Sequence, residues 1–301
     1  MSSPLRERCF AVLRVAAPST PVLIAAGPLK DQQNVTFSVM LGGPEEPDHR
    51  WVKMGDHERL QPLGVAHEAV VLDWLGTRLR DIPRVVAFSR DVDRDALAPW
   101  IMTEDIRGVP MAGMHEPPDD RSLQWLVEWL QEMASVDVGR ALDLGAAHGV
   151  FAPRVDLGQL LEESRHTMSG DYWSQRLLDA ARADAVDRTC RVGMVHGSFD
   201  ARNVLVTRKK DHGSIPVGVI DFESARIGPM SFDIAGMFCS LAMEFGVEPA
   251  RRWLHLAAKA WGEQVLSSEV LPFVAVRVHH RQQVRAISAA EVRTVTEAAL
   301  G

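Results

Sequence analysis

The sequence predicts an α+β protein, with short strands and helical segments in the first third of the chain and mainly helices after it. Three observations lead there. Short runs rich in β-branched residues crowd the first third of the chain. Later segments repeat their apolar positions at helical spacing. Finally, the polar stretch Val195-His196-Gly197-Ser198-Phe199-Asp200-Ala201-Arg202-Asn203 runs into the apolar Val204 to Val206, and a second apolar run, Val217 to Ile220, runs into Asp221-Phe222-Glu223. This pattern predicts a hairpin that sets Asn203 and Asp221 at neighbouring strand ends. A carboxylate beside an amide oxygen is a hard ligand pair of the kind Mg²⁺ takes.

Residues 5–15 fit a short amphipathic helix with Leu5, Phe10, Val12, Leu13 and Val15 available to pack, and Pro18 and Pro21 end it. Val22 to Ala26, Val35 to Leu41 and Trp51 to Met54 read as strands, the first two joined by the polar loop from Gly27 to Asn34. Lys53 falls inside the third strand, where propensity disfavours it. Taken alone it reads as an outward lysine on an edge strand. Fifteen residues on, Glu68 lies in a segment whose Val65, Ala69, Leu72 and Leu75 follow helical spacing. Val85 to Phe88 and Trp100 to Thr103 complete the strands, and Glu104 to Pro110 leads out of them. The loop from His115 to Asp120 supplies an N-cap for a helix over about 121–134, with Leu123, Leu126, Val127, Leu130 and Met133 on one face. Trp125 and Trp129 flank that face as packing residues. Residues 138–158 read as irregular and 159–186 as partly helical; 232–246, 249–266 and 269–288 read as closing helices. His279 and His280 are adjacent, so they point to different sides of a helix and read as a solvated face, not a metal pair.

Composition narrows the function classes. A hydrophobic share of 46% and a charged share of 24% are those of an ordinary soluble protein. No run approaches the roughly 18 apolar residues of a membrane span, and Met1 to Arg8 has no apolar stretch of a signal peptide. Three cysteines, Cys9, Cys190 and Cys239, are too few and too scattered for a disulfide framework or a zinc site. The expectation is a cytoplasmic protein, monomer or dimer. A net charge of −7 disfavours nucleic acid as the main partner and is compatible with a cationic substrate. Of 33 basic residues only Lys30, Lys53, Lys209, Lys210 and Lys259 are lysines, which singles out Lys53 further.

The stretch around residues 196–203 resembles the catalytic loop of the aminoglycoside phosphotransferase family of kinase-fold enzymes, H-G-D-x-x-x-x-N followed by I-D-F-E or I-D-W-E. His196, Gly197 and Asn203 stand at the family's offsets, and Ile220-Asp221-Phe222-Glu223 matches in full. Ser198 stands where the family carries its catalytic Asp. The resemblance extends over roughly residues 22–240. It implies a bilobal, protein-kinase-like fold, with a small antiparallel β-sheet and one helix in an N-lobe over 1–104 and a mainly helical C-lobe over 105–301. It implies ATP or GTP with Mg²⁺, and a hydroxyl acceptor that is a small molecule, such as an antibiotic or other natural product, or a biosynthetic peptide.

The resemblance also implies roles. Lys53 would contact the α- and β-phosphates with Glu68 holding it. Asn34 closes the nucleotide loop, and Glu104 and Ile106 belong to a hinge that offers backbone groups to the base. Asn203 and Asp221 would hold the metal and His196 would brace the loop, while Asp233, at the Asp that follows the family's Gly-x-Pro, reads as a structural clamp or helix N-cap in the C-lobe and not as a reactive acid. Glu162, Glu163, Asp171 and Tyr172 fall where the family lines its acceptor site. Three readings of Ser198 stay open: Asp200, two residues on, takes over the orienting role; the protein binds nucleotide without turnover; or the serine was introduced in place of an Asp to stop turnover.

Overall fold

The computed structural model describes residues 4–27, 34–42, 47–55, 62–89, 99–141, 143, 172–184, 192–209, 213–263, 269–283 and 287–300. The chain divides into two compact units, Met1–Arg107 with Gly218–Ser224, and Gly108–Val217 with Ala225–Gly301. The sequence pattern set a single boundary after residue 104; in the structure the chain also returns to the first unit with the segment that carries Asp221 and Glu223.

In the first unit, helix α1 (Pro4–Ala16) precedes strands β1 (Val22–Ala26), β2 (Val35–Leu41) and β3 (Asp48–Met54). Helix α2 (Pro62–Leu75) and strands β4 (Val85–Ser89) and β5 (Trp100–Glu104) follow. The strands form one antiparallel sheet in the order β1-β2-β3-β5-β4. Side chains alternate across a sheet, and here that alternation explains Lys53. Val35, Phe37, Val39, Val52, Met54, Trp100 and Met102 join Cys9, Val12 and Leu13 of α1 in one apolar cluster. Lys53, paired with Thr36 on β2 and Ile101 on β5, therefore belongs to the opposite face. Val52 and Met54 are almost fully buried on either side of it, each contributing about 1.5–3 kcal/mol of apolar burial, so the strand's register cannot slip to free the lysine.

The second unit opens with β6 (Val109–Pro110), α3 (Asp120–Ala134) and α4 (Tyr172–Asp184). Its remaining strands are β7 (Val192–Val195), β8 (Val204–Lys209), β9 (Gly213–Val219, whose end enters the first unit) and β10 (Arg226–Pro229). Helices α5 (Ser231–Phe245), α6 (Val247–Trp261), α7 (Leu271–Gln283) and α8 (Ala289–Leu300) close the chain. β7 pairs with β10, and β6, β8 and β9 form a second small sheet. The α3 stripe expected from its spacing is buried, with Trp129 beside it, and Asp119 caps the helix by accepting the N–H of Ser122 at 2.8 Å. Two features depart from the pattern-based reading. His279 is buried, not solvated, because α7 packs among α4 and α5. Helix α8 is an added element; its start carries a capping box in which Glu291 accepts from the N–H of Ser288 and Ser288 Oγ accepts from the N–H of Glu291. Cys9 and Cys239 are free and buried, and burial pushes both thiols up to about 11. No helix among the described residues is long and apolar enough to cross a membrane.

Candidate active site

Two polar clusters stand out, one in each unit. In the first, Lys53 Nζ lies 2.8 Å from Glu68 Oε2, 2.7 Å from Asp221 Oδ1 and 3.1 Å from Glu223 Oε2. Glu68 is placed by α2, whose Val65, Ala69, Leu72 and Leu75 are buried. Its other oxygen accepts the N–H of Phe222 at 3.0 Å, which fastens the Asp221 segment to the helix. Phe222 itself is fully buried and anchors the turn. Asp221 has φ 72°, the left-handed region, which costs a non-glycine residue about 1–2 kcal/mol. That conformation accompanies the aim of its carboxylate at Lys53 and is strain of the kind kept at functional positions. Glu223 also accepts from Asn34 Nδ2 at 2.6 Å, tying the first residue of the β2 approach to the same cluster.

Electrostatics here are unbalanced. Burial alone would lower the Lys53 pKa, but Glu68, then Asp221 and Glu223, more than reverse this and hold it well above the ordinary range. Burial pushes the Glu68 carboxyl up, and Asp221 and Glu223 add to that against Lys53. Because Glu68 has both the Lys53 ammonium and the Phe222 N–H on its oxygens, we take the pair as charged. Carboxylates then outnumber the ammonium three to one. Oxygens of Glu68, Asp221 and Glu223 lie within 4.8 Å of one another, a spacing and donor type that fit a hard divalent cation. Asn34 Oδ1 is buried without a hydrogen-bond partner among the described residues, a further oxygen without a donor. Glu223 was visible in the sequence motif but given no role there; only its contacts reveal it as a member of the cluster.

The expected hinge residues lie in the same unit. Glu104 is half-exposed and meets Arg50 at 3.8 Å, while its N–H donates to the carbonyl of Arg84. Asp105 accepts from Trp51 Nε1 at 2.7 Å. Ile106 lies against Gly218, where an added Cβ would stand 2.8 Å from Ile106 Cδ1. A side chain there would press on Ile106 and on the Asp81 carbonyl. The polar loop over residues 28–33 lies outside the described residues, as do Glu162, Glu163 and Asp171. Tyr172 is exposed on α4, against Trp173.

In the second unit, β7 delivers the chain into His196 and β8 carries it away after Asn203. Asp233, in the first turn of α5, accepts the N–H of His196 at 2.6 Å and of Gly197 at 2.9 Å, which fastens the loop to that helix. Phe199 stacks on Trp129 with ring centroids 5.3 Å apart. Gly236 of α5 lets the loop approach, since a Cβ there would lie 2.7 Å from the Phe199 carbonyl oxygen. Arg277 of α7 donates to the Gly197 carbonyl at 3.2 Å.

Asp200 is not available as an open carboxylate. It accepts from the backbone N–H of Arg202 at 2.9 Å, from Arg202 Nη2 at 2.6 Å and from Arg281 Nη2 at 3.5 Å. Burial would raise its pKa, but the Arg202 and Arg281 guanidiniums outweigh that and hold the carboxyl below the usual carboxylate range. It fastens the loop and is a poor proton acceptor. At the tip, Asn203 Nδ2 donates to the Ser198 carbonyl at 2.9 Å and to Ser198 Oγ at 3.2 Å. This orients the amide, because only the nitrogen can donate to a carbonyl, and leaves Oδ1 as the atom that could ligate a cation.

Comparison with known proteins adds the family. The profile of the phosphotransferase enzyme family (APH) matches residues 29–267. No curated protein matches the chain. Among solved structures, the GDP and kanamycin complex of APH(2")-IIia aligns with a TM-score of 0.68 and 16% identity, covering 96% of this chain and 96% of that one. Macrolide 2'-phosphotransferase type I aligns with a TM-score of 0.65 and 14% identity over 99% of this chain and 97% of its own. APH(3'')-Id from Streptomyces rimosus, in complex with ADP and streptomycin, aligns with a TM-score of 0.55 and 13% identity over 91% and 99%. Likenesses this distant in sequence establish the α+β kinase-like fold expected from the residues. The profile match, which spans most of the chain and both polar clusters, goes further: this chain belongs to the phosphotransferase enzyme family.

Proposed function

We propose that the protein transfers the γ-phosphoryl group of ATP or GTP to a hydroxyl of a small molecule, an antibiotic or other natural product. The observation that carries this reading is the Lys53 cluster, in which Glu68, Asp221 and Glu223 surround one ammonium. Such an excess of carboxylate is relieved by a divalent cation and its bound phosphates. In this reading Lys53 shifts from Asp221 towards the α- and β-phosphates, Glu68 keeps it in place, and Asp221 and Asn203 hold the metal. Mg²⁺ would supply charge neutralisation on the transferring phosphoryl group, which is most of what phosphoryl transfer requires. Glu104 to Ile106 would offer backbone groups to the base. The solved neighbours in complex with GDP and kanamycin and with ADP and streptomycin support a nucleotide and a small polyhydroxylated acceptor.

A second reading, nucleotide binding without turnover, is favoured by Ser198 at the family's acid position and by Asp200 being engaged with arginines. One experiment separates them. Mg·ATP and Mg·GTP should raise the melting temperature by mass action, and ADP or GDP release should rise on adding one member of a panel of aminoglycosides, macrolides and other hydroxylated natural products. No melting shift at millimolar nucleotide would overturn both readings; a shift with no release on any acceptor would leave the binding reading.

A further inference from the structure

We propose that Glu223 is a positioning residue: it ties Asn34, which closes the polar loop read as the nucleotide loop, to Lys53, so that loop end and ammonium meet the nucleotide as one preset unit. The proposal rests on the phosphotransferase reading above. Its basis is a convergence on one atom. Glu223 Oε2 accepts from Asn34 Nδ2 at 2.6 Å and lies 3.1 Å from Lys53 Nζ. The two donors come from the entry of β2 and from within β3, and the acceptor comes from the segment that returns to the first unit.

Local structure gives each partner its place. β2 and β3 pair with Thr36 opposite Lys53, while Val35 and Phe37 belong to the apolar cluster. Alternation then puts Asn34, two residues before Thr36, on the Lys53 side of the strand. A carboxylate only accepts, so the Asn34 amide meets it through its nitrogen. Glu223 sits in the 3₁₀ turn Phe222–Ser224, fixed by the buried Phe222 ring and by the Phe222 N–H on Glu68. Helix α2 covers the contact: a Cβ on Gly64 would stand 3.6 Å from Glu223 Oε2 and 3.9 Å from Asn34 Nδ2. Asn34 is 4% exposed, so the bond is shielded from water, where a charge-assisted hydrogen bond is strongest.

This contact gives Glu223 a task different from those of its neighbours. Glu68 holds Lys53 from the helix, and Asp221 is the carboxylate read above as a metal ligand. Glu223 instead sets loop end and ammonium relative to each other before any phosphate arrives, and preset geometry is what positioning contributes to affinity. The task needs one acceptor oxygen, because both donors use Oε2. It does not need the second oxygen or the negative charge, which a direct ligand of the cation would use. A glutamine can therefore serve it, and an alanine cannot.

The test is the affinity of the full chain for Mg·ATP or Mg·GTP, whichever raises the parent's melting temperature. Glu223→Ala should weaken binding by about tenfold, the scale of losing a hydrogen bond to a charged group. Asn34→Ala should do the same, and the double alanine variant should be no weaker than the worse single one, because both remove one contact. Glu223→Gln should recover most of the Glu223→Ala loss. Asn34→Asp sets two carboxylates face to face and should weaken binding at least as much as Asn34→Ala. Adding Glu223→Gln to it reverses donor and acceptor and should restore affinity, which carries the test if Glu223→Ala does not fold. A Glu223→Gln variant as weak as Glu223→Ala would mean that the charge matters and not the shared oxygen, and overturns the proposal. So do losses that multiply in the double alanine variant, or a lowered melting temperature with unchanged affinity, the mark of a merely structural bond. A parent that no Mg·nucleotide stabilises overturns the nucleotide reading and this one together; a parent that binds, with any of those three results, overturns this one alone.

Discussion

The Lys53 cluster and the Ser198 loop are both polar, both partly buried and both assembled from residues far apart in sequence, yet they are built on opposite electrostatic terms. Around Lys53, three carboxylates face one ammonium among the described residues, so negative charge is in excess there. Around Ser198 the charges are already matched: Asp200 with Arg202 and Arg281, and Asp233 with two backbone amides near Arg277. What remains at the tip is Ser198, His196 and Asn203, joined by hydrogen bonds. In the proposed function a cation completes the first region, whereas the second pairs its charges within itself. Removing a charge should therefore have different consequences in the two places.

The largest effect is expected from Lys53→Ala. Removing one partner from a largely buried ion cluster leaves like charges facing each other and should cost about 3–5 kcal/mol in urea unfolding. Because the Lys53 ammonium is then gone from among three carboxylates, millimolar Mg²⁺ alone should stabilise Lys53→Ala more than the parent. Equal stabilisation of the two by Mg²⁺ would mean that the cluster does not bind the ion.

Asp200→Asn probes the matched region and should cost about 2 kcal/mol at neutral pH, the scale of hydrogen bonds to a charged group. The sign of its pH dependence follows from the lowered carboxyl. The folded pKa lies below the unfolded value of about 3.9, so the stabilisation is complete above that value and is lost as pH falls through the folded pKa. The gap between the parent and Asp200→Asn should thus hold from about pH 5 to 8 and close below about pH 4. A gap that widens in acid would contradict the pairing with Arg202 and Arg281.

The smallest effect concerns backbone strain. Asp221→Gly and Asp221→Ala remove the same charge, but only glycine is at ease at φ 72°. The glycine variant should be more stable by about 1 kcal/mol, with neither showing the Mg²⁺-dependent part of the nucleotide shift. Equal stabilities would place the strain elsewhere.

Much of this molecule could be read from the chain, and where it could not, the reason is sequence distance. Local pattern sufficed for the strands around Phe37 and Val52, for the α3 stripe with its Asp119 cap, and for the motif residues His196, Asn203, Asp221 and Glu223, because strand alternation, helical spacing and capping are properties of neighbouring residues. The capping box at Ser288 and Glu291 was legible too, and would have announced α8. Tertiary structure alone decided the rest. Nothing near Asp200 in sequence says that Arg281, on α7, meets its carboxylate, or that His279 faces inward. Asn34 reaching Glu223, the positive φ of Asp221 and the return of residues 218–224 to the first unit are likewise long-range outcomes. The chain itself determined which chemical groups are present and on which kind of element. Whether each of them is held in a pair, as Asp200 is, or left facing an excess of like charge, as around Lys53, depended on packing between distant segments, since the charge that a group feels is set by what folding brings within a few ångströms of it.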